Sequence, residues 1–244
     1  MPILQRIRSL NILLTNDDGF EKEGFHVLKS IMASFGNVYV VCPDRDQSST
    51  SHSLSIHKPL YFKEYHPQEY WVSGTPTDCV HFALHHLWEP SFFDLCVSGI
   101  NHGANIGNDV WYSGTVGGAI EASLNGIRAL AISQLSVLKV KTYDFEHART
   151  FLSHWLKDYF EQWQSKHPLL NINIPPGHPE GFSWTKLGSN GYTSQIDARK
   201  DLRGRSYFWI GGELKDLKSP EGTDAFALSQ AHVSVTPLSL DLSR

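Results

Sequence analysis

Two adjacent aspartates, Asp17 and Asp18, stand at the end of a short apolar run, Leu10 to Thr15, inside Asn16-Asp17-Asp18-Gly19. Carboxylates forced together at a strand end repel, and one of the pair then holds its proton more tightly unless a cation lies beside them. Two further segments offer matching donors: Ser48 in the polar stretch Asp44 to Ser53, and Asn101 after the apolar run ending at Ser98. Two carboxylates, a hydroxyl and an amide carbonyl make an all-oxygen set, which favours magnesium, manganese or calcium over zinc or copper. Asn16-Asp17-Asp18-Gly19 alone reads equally as a turn and helix cap, so the metal reading draws on the other segments.

A second feature suits an anion. Ser113-Gly114-Thr115-Val116-Gly117-Gly118 opens a predicted helix, where small residues allow close approach and free N–H groups and hydroxyls can bind phosphate. Asn105 and Asn108 lie upstream in the same glycine-rich loop. The same residues also fit a capped helix packed closely on a sheet. No Gly-x-x-x-x-Gly-Lys-[Ser/Thr] is present, and no Gly-x-Gly-x-x-Gly follows the first strand, which sets aside a P-loop and leaves dinucleotide binding unsupported. His81 and His85 have a four-residue helical spacing able to hold zinc, but no ligand-bearing partner segment is evident, so a solvated helix face is the preferred reading. His102, beside Asn101, is a candidate acid, base or substrate contact, or simply a structural histidine.

The elements that must position these residues alternate. Strands are predicted at Leu10 to Thr15, Val38 to Cys42, Asp94 to Ser98 and Ala129 to Ser133. Helices fall between them: Phe25, Leu28, Met32 and Phe35 share one face, with Gly36-Asn37 as a left-handed stop. Thr75-Pro76-Thr77-Asp78 opens the next helix with a cap, a proline at the first position and an acid at the positive end. Thr115 to Asn125 and a long stripe from Phe145 to Tyr159 complete the set, and Leu60 to Tyr65 with Glu69 to Ser73 suggests a hairpin. This alternation indicates an α/β fold with a mostly parallel sheet covered on both faces. Ligands in such sheets bind beyond the carboxyl ends of the strands, where Asp17, Asp18, Ser48 and Asn101 all fall. After Pro175-Pro176 the pattern becomes strand-like and glycine-punctuated, so residues 1–174 are read as an α/β catalytic core and 175–244 as a β-rich C-terminal extension.

A formal net charge of −4 argues against a stable complex with extended nucleic acid, and leaves a small anion that needs a metal or backbone dipoles for its positive field. Cys42, Cys79 and Cys96 form no Cys-x-x-Cys pair and read as buried reduced thiols, which suits a cytoplasmic protein. Arg6 and Arg8 precede an apolar stretch too short for a signal peptide, and no run approaches a membrane span.

Asn11-Ile-Leu-Leu-Thr-Asn-Asp-Asp-Gly19, Gly74-Thr-Pro-Thr-Asp-Cys79, Ser98-Gly-Ile-Asn-His-Gly-Ala-Asn105 and Tyr112-Ser-Gly-Thr-Val116 together resemble the SurE family of survival-protein nucleotidases. Leu170-Asn-Ile-Asn-Ile-Pro175, Gly222-Thr-Asp224 and Val233-Ser-Val-Thr-Pro-Leu238 echo it further on. The resemblance implies a Rossmann-like core with a C-terminal extension that takes part in oligomers, a homodimer or homotetramer, and metal-dependent 5′- and possibly 3′-nucleotidase activity. It implies that Asp17, Asp18, Ser48 and Asn101 hold one divalent cation, Mg2+ or Mn2+. It places Asn105, Ser113, Gly114 and Thr115 around the phosphate of a small nucleotide, with Asp17 or Asp18 orienting or deprotonating the attacking water. Two departures stand out: Lys22-Glu23-Gly24 replaces the family's Ala-Pro-Gly, and Ser49 replaces the glycine that follows the serine ligand. A non-catalytic nucleotide-binding protein is the rival reading. An aspartyl-phosphate phosphatase fits less well, because its aspartates are separated by one residue.

Overall fold

The computed structural model describes residues 9–136, 143–161, 168–189, 193, 195–212, 219–241 and 243. The N-terminal stretch with Arg6 and Arg8 lies outside the described residues.

Strand β1 (Leu10–Thr15) alternates its side chains between two faces: Ile12 and Leu14 point one way, and Leu13 the other. A strand buried on both sides needs a helix layer on each, and the two clusters of core residues supply them. Ile12 and Leu14 pack with Phe25, Leu28 and Met32 of α1 (Glu23–Met32) and with Leu152, Trp155 and Leu156 of α4 (Phe145–Glu161). Leu13 packs with Cys79 and Val80 of α2 (Pro76–Phe82) and with Val116, Ala119 and Ala122 of α3 (Gly114–Leu124). Cys42, Cys79 and Cys96 are buried free thiols.

The remaining strands are β2 (Gly36–Pro43), β3 (Phe62–His66), β4 (Glu69–Val72), β5 (Leu95–His102), β6 (Arg128–Gln134), β7 (Leu169–Ile174), β8 (Gly181–Trp184), β9 (Gln195–Lys200), β10 (Ser206–Gly211) and β11 (His232–Pro237). Nine of them form one sheet in the order β3-β4-β2-β1-β5-β6-β7-β11-β8. From β4 to β7 every neighbouring pair is parallel; β3 is antiparallel to β4, and β11 is antiparallel to β7. The chain leaves β1 toward β2 on one side and later returns to β5 on the other, so the strand order reverses at β1. In parallel sheets such a reversal opens a crevice at the carboxyl ends, the usual ligand position.

Two sequence expectations change. Gly36 is not a left-handed helix stop. Helix α1 ends at Ala33 in right-handed geometry, and Gly36 opens β2 opposite Leu10, where a Cβ would lie 2.0 Å from the Leu10 carbonyl oxygen. Strand β5 does not end at Ser98. It runs to His102 through an irregularity between Ser98 and Asn101, so Asn101 and His102 are strand residues paired with Ser133 and Gln134. Beyond residue 174, β8 and β11 continue the sheet, and Val233 and Val235 join the core of β1. Helix α5 (Asp224–Ser229) leads into β11. Among the described residues, β9 and β10 form a separate two-stranded sheet.

Candidate metal and phosphate site

At the carboxyl end of β1, Asp17 is buried, with 4% exposure. Its Oδ2 accepts the Thr115 backbone N–H at 3.0 Å, and its Oδ1 accepts the Thr115 hydroxyl. The carboxylate thus sits at the N-terminus of α3, where free N–H groups favour a negative charge. Burial nevertheless dominates and pushes Asp17 from 3.8 to about 6, against the Thr115 hydroxyl bond and with the neighbouring Asp18 charge adding to the rise. Asp18 goes the other way. Burial opposes its charge too, but the His102 ring and backbone bonds, with the charges of His102 and Lys22, outweigh it and hold the carboxyl below the usual range. Asp18 Oδ2 accepts both from His102 Nδ1 at 2.9 Å and from the His102 backbone N–H at 3.0 Å. The other face of the imidazole packs edge-on against Tyr143 and Phe145.

Asn101 precedes that histidine. Its Nδ2 donates to the Gly103 carbonyl at 2.7 Å, which leaves the amide oxygen as its ligand atom. Ser48 lies in the exposed loop after β2, with its N–H and hydroxyl donating to Asp46 Oδ1 at 2.9 and 2.6 Å. The loop is held against the site: the Gln47 N–H donates to the Asp17 carbonyl at 2.8 Å and the Ser51 N–H to the Tyr112 carbonyl at 3.0 Å. The α2 capping box, Thr75 with Asp78, holds its far end, since the Thr75 hydroxyl donates to the Ser53 carbonyl and the Ser55 N–H to Asp78. Ser49, which follows Ser48 in this loop, is left-handed with φ +60.

The expected phosphate group divides. Ser113 caps α3, its oxygen accepting from the Val116 N–H at 3.1 Å, so its hydroxyl hydrogen is still to be donated. Gly114 packs directly on Asp17: a Cβ there would lie 3.0 Å from Asp17 Cβ and 2.9 Å from Thr50 Oγ1. Thr115 gives both its backbone N–H and its hydroxyl to Asp17, so in this structure it positions a carboxylate. Asn105 is buried, with Nδ2 donating to Ser133 Oγ at 2.8 Å. Its N–H donates to Asn173 Oδ1, and its carbonyl accepts from the amides of Asn171 and Asn173. The Asn171/Asn173 pair of β7 therefore pins this loop, a role with no signal in the sequence beyond two asparagines alternating inside a buried strand. Asp224 acts similarly, accepting the N–H groups of Gly107 and Gly188 at 2.7 and 2.9 Å.

On the α2–α3 side, Glu121 accepts from His81 Nδ1 at 2.9 Å and from His52 Nε2 at 2.8 Å. Ligand atoms of His81, His85 and Glu121 lie within 4.8 Å of one another, a group able to hold a metal ion. The partner segment for the His81/His85 pair, unseen in the sequence, is thus α3. Its signal was Glu121 as the lone charge between 110 and 127.

An open, mostly parallel α/β sheet with a carboxylate pair and an oxygen-donor loop at its point of strand reversal defines a class of small-ligand enzymes and binding proteins. Comparison with known proteins narrows it. The family model "Survival protein SurE" matches residues 12–194. A protein named 5′-nucleotidase SurE from Pelotomaculum thermopropionicum is 41% identical over 243 residues, covering 96% of this chain and 91% of the relative. Another of that name from Vibrio parahaemolyticus is 39% identical over 239 residues, covering 97% and 91%. The crystal structure of SurE protein from Aquifex aeolicus superposes with a TM-score of 0.81 at 36% identity, covering 95% of this chain and 94% of that one. The chain belongs to the SurE survival-protein family.

Proposed function

We propose that this chain is a metal-dependent nucleotidase that hydrolyses nucleoside monophosphates, at the 5′ and also the 3′ position, to nucleoside and inorganic phosphate. The carrying observation is the Asp17/Asp18 pair at the β1 end, one carboxyl raised by burial and the other lowered by His102. Environments that push two carboxyls apart mark complementary roles. The relatives' name, 5′-nucleotidase SurE, supports the same reading.

The donor set fits one hard divalent cation, Mg2+ or Mn2+, which Asp17, Asp18, Ser48 and Asn101 would hold. A buried carboxylate with no cationic side chain bonded to it is what such an ion would neutralise. When bound, the ion would polarise a phosphate oxygen and acidify water. Asp18, fixed by His102, stays ionised through neutral pH. Asp17 or Asp18 would also orient or deprotonate the attacking water. Ser113 and Asn105, with the N-terminus of α3, would steady the phosphate oxygens as the P–O ester bond breaks. The leaving alkoxide takes up a proton to become the nucleoside hydroxyl.

The assembly we propose is a homodimer or homotetramer built through the β9–β10 hairpin. Ile196, Phe208, Trp209 and Ile210 are 69%, 62%, 61% and 89% exposed, a concentration of apolar surface that a second copy would cover. Substitution of Ile196 and Trp209 by aspartate should lower the mass measured by light scattering. No helix among the described residues is long and apolar enough to cross a membrane. The three buried free thiols support a cytoplasmic location.

The functional test is phosphate release across nucleoside monophosphates with Mn2+ or Mg2+, with and without chelator. A rate unaffected by chelation would refute the metal-dependent reading. Nucleotide binding without phosphate release would favour a non-catalytic sensor.

A further inference from the structure

Glu121 projects from a helix of small residues into a group of three imidazoles. His81 lies in the last turn of α2, and His85 lies one turn on, in the π-helix Ala83–Leu87 that continues it. Their rings are 4.4 Å apart between centroids. The third imidazole, His52, comes from the end of the Ser48 loop and takes the second oxygen of Glu121. Glu121 is buried while His81 and His85 are exposed; His81 already bonds the carboxylate through Nδ1 at 2.9 Å, and His85 brings a second ring nitrogen to it from the solvent side. Four-coordinate zinc, with bonds of about 2.0–2.1 Å, sets its ligand atoms about 3.3 Å apart. The three ligand atoms already lie within 4.8 Å of one another, about 1.5 Å beyond that spacing.

The chemistry differs from that of the aspartate pair. Two imidazole nitrogens and one carboxylate oxygen suit a borderline ion such as Zn2+ or Co2+, with a fourth position left for water. His52 would orient the carboxylate from its far oxygen, as hydrogen-bonded partners of metal-ligating carboxylates do.

We propose that His81, His85 and Glu121 form a second metal site, selective for zinc-class ions and separate from the Asp17/Asp18 centre. Because Glu121 also holds His52, an ion there couples α2 and α3 to the loop that carries Ser48.

The test is Co2+ titration of the full-length, metal-stripped protein, followed by visible absorption, with Zn2+ as competitor. Four-coordinate Co2+ with nitrogen ligands absorbs strongly, whereas an oxygen-only six-coordinate site absorbs weakly. The strong bands are expected at one ion per chain in the wild type and in Asp18→Asn, displaced by Zn2+, and absent in His85→Asn. His85 is exposed, so circular dichroism of that variant should match the wild type. Zn2+ affinity should fall more than about 100-fold in His85→Asn and about 10-fold in His52→Gln. Strong bands that survive His85→Asn, vanish in Asp18→Asn, or are missing from the wild type would overturn the proposal. Loss of nucleotidase activity in Asp18→Asn bears only on the aspartate centre, so the two readings fail separately.

Discussion

Asp17→Asn removes a charge while keeping the shape of the side chain. The native Asp17 carboxyl holds its proton to about pH 6, whereas in the unfolded chain it loses it near 3.8. At 1.36 kcal/mol per unit, that rise makes the ionised form a native-state cost of about 3 kcal/mol. The stabilising contribution is therefore complete below the unfolded value and lost as pH rises through about 6. A carboxamide fits the same partners: its oxygen accepts from the Thr115 N–H, and its NH2 donates to the Thr115 hydroxyl, which rotates to accept. In urea unfolding with chelator at about pH 7.5, D17N should exceed the wild type in stability by about 1–3 kcal/mol. At about pH 4, where the native carboxyl is itself neutral, the two should converge. Mn2+ at about 100 times its Kd should then add about 2.7 kcal/mol to the wild type and little to D17N. Phosphate release should fall by several orders of magnitude in the variant. A D17N protein less stable than the wild type at the higher pH, or one offset equally at both, would refute the claim that Asp17 is held at an electrostatic cost.

Thr115→Ala removes the hydroxyl bond that lowers Asp17, so the Asp17 carboxyl should rise further. The Mn2+ concentration for half-activation should then increase near pH 6.5 and approach wild type near pH 8.5; a pH-independent change would contradict the assignment. His102→Ala leaves the backbone bond to Asp18 but deletes the ring bond, a loss of about 1.5–3 kcal/mol of orientation for a charged acceptor. The phosphate-release rate should drop about 10- to 100-fold, with partial recovery in His102→Asn, and an unchanged rate would exclude the positioning role. Ser49→Gly relieves a left-handed serine at φ +60 and should raise stability by about 1 kcal/mol in thermal or urea unfolding; destabilisation would show that the serine side chain is needed.

Much of this architecture is legible in the chain because it rests on local signals. The β1 run and the Thr75/Asp78 capping box each lie within a few consecutive residues, the apolar stripe of α4 repeats along a single helix, and each is where the pattern puts it. What was not legible depends on distant backbone. Gly36 reads as a helix stop until Leu10 is known to lie opposite it. Thr115 at a helix start offers the same donors to a phosphate as to Asp17, and only the packing of α3 on the β1 end decides between them. Likewise the His81/His85 pair gained a partner through the α2–α3 contact, which no spacing within either helix encodes. Strand β11 could not be assigned because an alternating Val-Ser-Val-Thr run does not say which neighbour, or which direction, it will take.

That last strand has a consequence for synthesis. Strand β7 carries Leu170 and Ile172 at full burial and hydrogen-bonds on one edge to β6 and on the other to β11. While the nascent chain is shorter than Pro237, the β7 edge facing β11 has no neighbour, and unpaired edges recruit other chains. A premature stop after residue 174 should therefore give inclusion bodies instead of a smaller working core. Excising only the 195–211 hairpin, by contrast, should leave a folded protomer.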